Sequence, residues 1–357
     1  MGIPTYSIVI PVHNEEATLL TLYERVSQVL GRLDGPSEVI FVDDGSRDAS
    51  YSMMLGLHDR DQRFKVIHLS RNFGHQLAIT AGIDLAEGMA IVVMDADLQD
   101  PPELIVEMAD KWREGYEVVY GVRQDRMTDT WFKRTTATLF YRTLRRLTEV
   151  DIPEDVGDFR LIDRRAAEAF KGMREGSRFV RGMFGWMGFK QIGVPYTRAE
   201  RAAGETKYPL KKMMKLASDG MVGFSRVPLR IALNVGFLCS FFALMAGVTA
   251  LIFRLTGVYT VPGWTSVVFV VCLLGGMQLG VMGMMGEYIG RTYEESMRRP
   301  LYIVSDLHGV RAPLEVTPRG IIAQPRTVAT LLGEASLTET GSLTETGSRS
   351  GTISSAP

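Results

Sequence analysis

Five short apolar runs dominate the first third of the chain, and each breaks off in polar or charged residues. They are Tyr6 to Pro11, Glu38 to Val42, Phe64 to Leu69, Met89 to Met94 and Glu117 to Gly121. Their length and β-branched content are those of buried strands. Between them lie stretches with helical character: Asn14 to about Leu33, Asp48 to Leu57, His75 to Ala86 and Pro101 to Glu114. Asn14 is the expected cap of the first, with the glutamates after it suiting the positive end of the helix dipole. Strand and helix alternating over short connections predict a mostly parallel α/β sheet covered on both faces. Ligands of such sheets bind outside the carboxyl ends of the strands. Pro11-Val12-His13-Asn14-Glu15, Asp43-Asp44, Asp95/Asp97/Gln99 and Arg123 all fall at those ends.

The fourth run passes directly into Asp95-Ala96-Asp97-Leu98-Gln99-Asp100-Pro101-Pro102. Two carboxylates one residue apart, with an amide oxygen two residues on, are hard ligands of the kind that hold Mg²⁺ or Mn²⁺ when a substrate phosphate completes the shell. On its own the stretch also fits a polar turn with prolines opening a helix. No G-x-G-x-x-G follows the first strand and no G-x-x-x-x-G-K-[ST] occurs, which argues against a dinucleotide-binding dehydrogenase or a P-loop ATPase. An acid-rich edge that binds a phosphorylated nucleotide needs a metal to offset repulsion.

Lys and Arg total 40 against 41 Asp and Glu, a balance that gives no sign of nucleic-acid binding. The charge is unevenly placed. From Leu229 to Gly286 the only charged residues are Arg230 and Arg254. Ile231 to Phe253 and Thr265 to Gly286 are each long enough to cross a hydrocarbon core of roughly 30 Å. The link between them carries Tyr259 and Trp264, which suit an interface, while Lys211, Lys212, Lys215, Arg226, Arg291, Arg298 and Arg299 flank the pair. By the positive-inside rule both ends face the cytoplasm. Gly276/Gly280 and Gly286/Gly290 are spaced for close helix approach, within the hairpin or between subunits. Cys239 and Cys272 sit inside apolar runs and read as packing residues. The N-terminus lacks the pattern of a signal peptide. Trp131 to Leu147 is a basic amphipathic stretch suited to anionic lipid headgroups. The expected organisation is a catalytic domain over residues 1–225 and two membrane helices within 226–300. A C-terminal segment, 301–357, follows, and its polar tail is expected to be disordered from about 315. In that tail Ser336 to Gly341 repeats directly as Ser342 to Gly347.

Ile10-Pro11-Val12-His13-Asn14-Glu15-Glu16, Val42-Asp43-Asp44-Gly45-Ser46 and Met94-Asp95-Ala96-Asp97-Leu98-Gln99-Asp100 resemble, in order and spacing, family 2 glycosyltransferases of the GT-A fold. Leu69-Ser70-Arg71-Asn72-Phe73-Gly74, Asp158-Phe159-Arg160-Leu161, Gly204-Glu205-Thr206-Lys207-Tyr208 and Pro300-Leu301-Tyr302 are similar to the polyprenyl-phosphate members of that family. The resemblance implies inverting transfer of a hexose from a nucleotide sugar, UDP-glucose first, to an undecaprenyl-type phosphate at the cytoplasmic face of the inner membrane. GDP-mannose, UDP-N-acetylglucosamine or a modified arabinose are the alternative donors, and a non-catalytic membrane scaffold is the alternative outside enzymes. It further implies that Pro11, His13, Glu15, Val42 and Asp44 line base and ribose, and that Asp95 and Ala96 approach the nucleotide. Asp95, Asp97 and Gln99 would hold Mg²⁺ or Mn²⁺. Arg123, Arg201 and Lys207 would meet the diphosphate. Asp158 would act as base or orienter, with Asp155 and Asp151 as competitors for the role and a salt bridge to Arg160 as its structural alternative. A cationic field from Arg123, Arg126, Lys133, Arg134 and Arg142 would bring in the acceptor phosphate. A homo-oligomer, a tetramer by resemblance, is also implied.

Overall fold

The computed structural model describes residues 3–123, 156–176, 178–197, 227–256, 263–311 and 320–322. Arg126, Lys133, Arg134, Arg142, Asp151, Asp155, Arg201 and Lys207, the amphipathic stretch and the repeat tail lie outside them.

The five expected strands form: β1 Tyr6–Val12, β2 Ser37–Asp43, β3 Phe64–Leu69, β4 Ala90–Val93 and β5 Val118–Arg123. The helices between them are α1 Leu19–Leu30, α2 Ser50–Arg60, α3 His75–Leu85 and α4 Leu104–Arg113. Met89 stays half exposed and outside β4. Helix α1 starts later than predicted, at Leu19, with Thr18 rather than Asn14 at its cap. Asn14 instead takes a left-handed conformation, φ 56°. Its amide donates to Ser46 Oγ at 3.0 Å and its Oδ1 accepts from Arg47 N at 2.8 Å. The residue therefore ties the β1 exit to the β2 exit, a use that Asn tolerates because its short amide satisfies local backbone groups in that region.

Three further strands and two helices follow in the same domain: β6 Val156–Asp163, α5 Arg164–Gly172, α6 Val180–Trp186, β7 Gln191–Tyr196 and, after the long helices, β8 Tyr302–His308. A short β9, Gly320–Ile322, completes the sheet, whose order is β7-β5-β6-β4-β1-β2-β3-β8-β9. β1 pairs in parallel with β2 and β4, and β2 with β3. β6 runs antiparallel to both β4 and β5, so the sheet is mostly, not wholly, parallel. The reversal has a consequence for position. The carboxyl ends of β1, β2, β3, β4, β5 and β7 share one edge, and the start of β6, with Asp158, is delivered to that same edge. β9 falls within the stretch expected to be disordered. Ile321 and Ile322 pair with Ile303 and Val304, so apolar residues there favour the ladder over solvent.

Apolar side chains alternate between two layers. Ile8, Ile10, Phe41 and Phe64 face α1, α2 and α4, while Val9, Ile40, Val42 and Ile67 face α3 and α5. Contact on the second side is close: a Cβ at Gly82 of α3 would lie 2.2 Å from Val9 Cγ1 and 3.1 Å from Val42 Cγ2. Gly82→Ala gains about 1 kcal/mol of helix propensity but forces α3 off the sheet, at a cost of about 1–3 kcal/mol or more. The expected outcome is a lower thermal midpoint for this variant in a scan by circular dichroism; an unchanged or raised midpoint would contradict the packing.

Helices α7 Val227–Leu255 and α8 Trp264–Ser296 contact one another. At about 1.5 Å per residue each is longer than a hydrocarbon core. Phe237, Phe241, Phe242, Leu244, Val271 and Leu279 are exposed on them, a surface of a kind that marks contact with lipid or protein. Among the described residues one stretch, Ala232–Thr249, is long and apolar enough to cross a membrane. The second expected span lies within α8, several of whose side chains are outside the described residues. Among the described residues, and apart from the backbone of α8 itself, no atom is placed within 4 Å of a Cβ built at Gly276, Gly280, Gly286 or Gly290. Glu287 pairs with Arg291 at 3.0 Å, one turn on.

Candidate active site

The strand ends enclose a cleft of about 420 Å³ lined by Pro11, Val12, His13, Glu15, Asp44, Asn72, Gly74, His75, Ala78, Asp95, Ala96 and Asp97. Of the expected nucleotide-binding residues described, Pro11, His13, Glu15, Asp44, Asp95 and Ala96 are thus brought together. The cleft lies where β1 and β4 are neighbours and the chain order reverses, the position at which open α/β sheets bind ligands. Val42 is not among the lining residues. Its side chain is fully buried in the layer beneath α3, because alternation along β2 turns it to that face of the sheet.

The left wall is a loop set by Asp44. Its two carboxylate oxygens accept from the amides of Phe73 (2.6 Å) and Gly74 (2.9 Å). His13 Nδ1 lies 2.9 Å from the Asp44 carbonyl and 3.2 Å from Asn72 Nδ2. Gly45 makes this loop contact possible: it has φ +65°, and a Cβ there would sit 2.7 Å from the Asn72 amide nitrogen. A second cavity of about 480 Å³, lined by Ser46, Arg47, His68 and Arg71, shares His13 and Asn72 with the cleft.

The floor is the acidic turn after β4. Asp97 Oδ1 accepts from Gln99 N at 3.1 Å, across Leu98 in a left-handed conformation, φ 59°. Burial pushes the Asp95 carboxyl up to about 6; His75 opposes the shift, and Asp158, Asp100 and Asp97 add to it by repulsion. Gln99 Oε1 and Asp95 Oδ1 are buried and accept no hydrogen bond among the described residues; His75 Nε2 lies 3.4 Å from Asp95 Oδ1. Among the described residues no three His, Cys, Asp or Glu side chains are preassembled around a point. Two carboxylates, an unsatisfied amide oxygen and mutual repulsion fit a hard divalent cation whose shell is finished by substrate oxygens and water.

Asp158 does not line the cleft but is joined to it through His75, and it is almost fully buried. Its Oδ1 accepts from Arg181 Nε at 2.9 Å; its Oδ2 accepts from Arg181 Nη2 and from Gln76 Nε2, each at 3.2 Å. His75 Nε2 lies 3.4 Å from Asp158 Oδ2, the same distance as from Asp95 Oδ1, and so stands between the two acids. Burial would raise the Asp158 carboxyl, but Arg181 and then His75 hold it well below the usual carboxylate range. Arg160 makes no salt bridge to the Asp158 carboxylate among the described residues. That guanidinium donates to the carbonyls of Gly157 (3.0 Å) and Asp158 (3.3 Å) and lies 4.9 Å from the Phe184 ring centroid. Sequence reasoning missed Arg181, Gln76 and His75. Only His75 had a local signal, since it opens a helix at the strand-end edge.

Arg123, the last residue of β5, reaches the same edge but does not line the cleft. Its Nε donates to the Tyr196 hydroxyl at 3.3 Å.

The model of the family described as Glycosyl transferase family 2 matches residues 7–170. A relative from Bacillus subtilis, "Uncharacterized glycosyltransferase YkcC", is 50% identical over 305 residues, 85% of this chain and 94% of that one. The "Prophage bactoprenol glucosyl transferase homolog" of Escherichia coli is 39% identical over 298 residues, 84% of this chain and 97% of that one. Among solved structures, glucosyl-3-phosphoglycerate synthase from Mycobacterium tuberculosis is a distant likeness: 18% identity over 61% of this chain and 78% of that one, TM-score 0.43. The chain belongs to glycosyl transferase family 2 and is a glycosyltransferase.

Proposed function

We propose that the protein transfers a hexose, with UDP-glucose as donor, to an undecaprenyl-type polyprenyl phosphate at the cytoplasmic face of the inner membrane. The anomeric configuration is inverted in a single displacement. The observation that carries this reading is the meeting of two unlike groups at one sheet edge. Asp95, Asp97 and Gln99 form a group that wants a cation and a diphosphate; Asp158, linked to the cleft through His75, and Arg123 on the neighbouring strand form the second, outside the cleft lining. The name borne by the Escherichia coli relative supports a polyprenyl acceptor and a glucosyl group.

Bound at Asp95, Asp97 and Gln99, Mg²⁺ or Mn²⁺ would supply charge for the departing nucleotide diphosphate. Pro11, His13, Glu15 and Asp44 hold the nucleoside, with the loop from Phe73 to Gly74 fixed by Asp44. Arg201 and Lys207 close on the diphosphate and offset its charge. The acceptor is already an anion, so it needs orientation more than deprotonation. Asp158, held ionised by Arg181, serves as a fixed negative charge and hydrogen-bond acceptor at the reacting face. Arg123, Arg126, Lys133, Arg134 and Arg142 attract the lipid phosphate. Helices α7 and α8 span the membrane as a hairpin with both chain ends in the cytoplasm, which the flanking Lys and Arg favour. The assembly is a homo-oligomer.

The test is a panel of nucleotide sugars, UDP-glucose, UDP-N-acetylglucosamine, GDP-mannose and a modified arabinose donor, offered to the full-length protein with undecaprenyl phosphate, with and without EDTA. The expected result is lipid-linked glucose from UDP-glucose and loss of product on chelation, restored by Mg²⁺ or Mn²⁺. Product with EDTA present would refute the metal role; product from another donor alone would reassign the sugar. No product from any donor would favour a scaffold.

A further inference from the structure

The third acid of the Asp95-to-Asp100 stretch does not line the cleft. Asp100 is fully buried and accepts the hydroxyl hydrogen of Tyr196, a residue also nearly fully buried. The same hydroxyl oxygen accepts from Arg123 Nε at 3.3 Å. Tyr196 ends β7 and Arg123 ends β5, and the two are direct partners in the parallel ladder. The ring is fixed from its side by Phe159, edge-on at 6.0 Å and 89°.

Two glycines make room for this arrangement. A Cβ at Gly121 would lie 2.7 Å from Tyr196 Cε1, and a Cβ at Gly157 would lie 2.8 Å from Arg123 Nη2. Each glycine thus leaves a seat that a side chain from the neighbouring strand fills. The seat at Gly157 places the Arg123 guanidinium against the residue preceding Asp158. A hydroxyl that donates to a buried carboxylate is a stronger acceptor than a free phenol, because bonds in a chain polarise one another. Burial and the Asp100 charge hold the Tyr196 phenol well above its ordinary pKa, so it remains a hydroxyl with its proton on the Asp100 side.

We infer that Tyr196, backed by Asp100 and seated at Gly121, is a positioning residue that, with the space left by Gly157, aims Arg123 at the phosphate of the lipid acceptor beside Asp158. The inference rests on the polyprenyl-phosphate reading above. It assigns Asp100 to the acceptor half of the site although its sequence neighbours serve the donor half. Arg123 sits outside the cleft that carries Asp95 and Asp97, and this separation is what the acceptor assignment uses.

A double-mutant cycle tests it. Full-length wild type, Tyr196→Phe, Arg123→Ala and the double variant are assayed with undecaprenyl phosphate and the nucleotide sugar that wild type turns over fastest. Tyr196→Phe keeps the ring and its packing and removes only the hydroxyl. It is expected to raise the apparent KM for undecaprenyl phosphate on the order of tenfold, as for a lost hydrogen bond to a charged group, with the KM for the nucleotide sugar unchanged. In the Arg123→Ala background the same substitution is expected to have no further effect. Gly157→Ala, whose added Cβ meets the Arg123 guanidinium first, is expected to reproduce the acceptor KM rise. An equal loss from Tyr196→Phe with and without Arg123 overturns the inference, as does a shift confined to the nucleotide-sugar KM. Wild-type activity in Tyr196→Phe alongside impaired Arg123→Ala overturns it while sparing the proposed reaction. Wild-type activity in Arg123→Ala overturns both the inference and the role of Arg123.

Discussion

Asp158→Asn is expected to lower turnover by roughly 10²–10⁴ while donor affinity is kept. Ordinary general-base reasoning would not give this residue much to do, since Arg181 holds the carboxyl well below its usual range and so makes it a weak base. The acceptor phosphate does not need a strong one. What the geometry provides is a carboxylate whose orientation is fixed from two helices. Arg181 of α6 reaches both oxygens, and Gln76 of α3 donates to Oδ2 while its own Oε1 accepts from Val180 N, the first residue of α6, at 3.0 Å. Asparagine fills the same volume but removes the charge and presents an amide to Arg181, donor against donor. The loss therefore falls on an oriented negative charge at the reacting face. Saturating-donor initial rates with undecaprenyl phosphate, together with calorimetric binding of the nucleotide sugar, separate the possibilities. A fall in donor affinity with turnover intact would make Asp158 a structural residue.

The sequence makes the donor half of the site legible because that half is local. Apolar runs of strand length mark where chain ends must emerge, and polar residues directly after each run are placed at one edge by the parallel topology alone. His13, Glu15, Asp44, Asp95 and Asp97 come together for that reason. The other half was legible only in part. Val156–Asp163 carries Asp158, Arg160 and Asp163, which hide a buried strand behind charges that tertiary pairing satisfies. The partners of Asp158 come from 23 residues later and 82 residues earlier, a separation that leaves no periodic signal. Val42 shows the opposite failure: a motif neighbour of the site whose side chain the strand pleat sends into the core. Asp100 belongs to the most conspicuous motif in the chain yet bonds to Tyr196, 96 residues away.

Asp97→Ala is expected to abolish metal-dependent transfer, a loss of at least roughly 10³-fold, with the protein still folded and in the membrane fraction. Two effects coincide at this position. A hard oxygen ligand is lost from a set that has only Asp95 and the Gln99 amide to replace it. The turn that presents Gln99 is also loosened, because Asp97 Oδ1 holds the Gln99 amide across the left-handed Leu98, a conformation that a branched side chain does not favour unaided. Asp97→Asn divides the two effects: it keeps an acceptor for the Gln99 amide and removes only the charge. Its activity is expected to fall between wild type and Asp97→Ala and to recover partly at high Mn²⁺. Mn²⁺ binding, followed by the loss of free-ion electron paramagnetic resonance signal in the presence of UDP, reads the metal directly and does not depend on identifying the sugar. Both variants are expected to weaken it, Asp97→Ala the more. Full activity and wild-type Mn²⁺ binding in Asp97→Ala would remove this carboxylate from the metal site and leave Asp95 and Gln99 without the partner that the turn was built to supply.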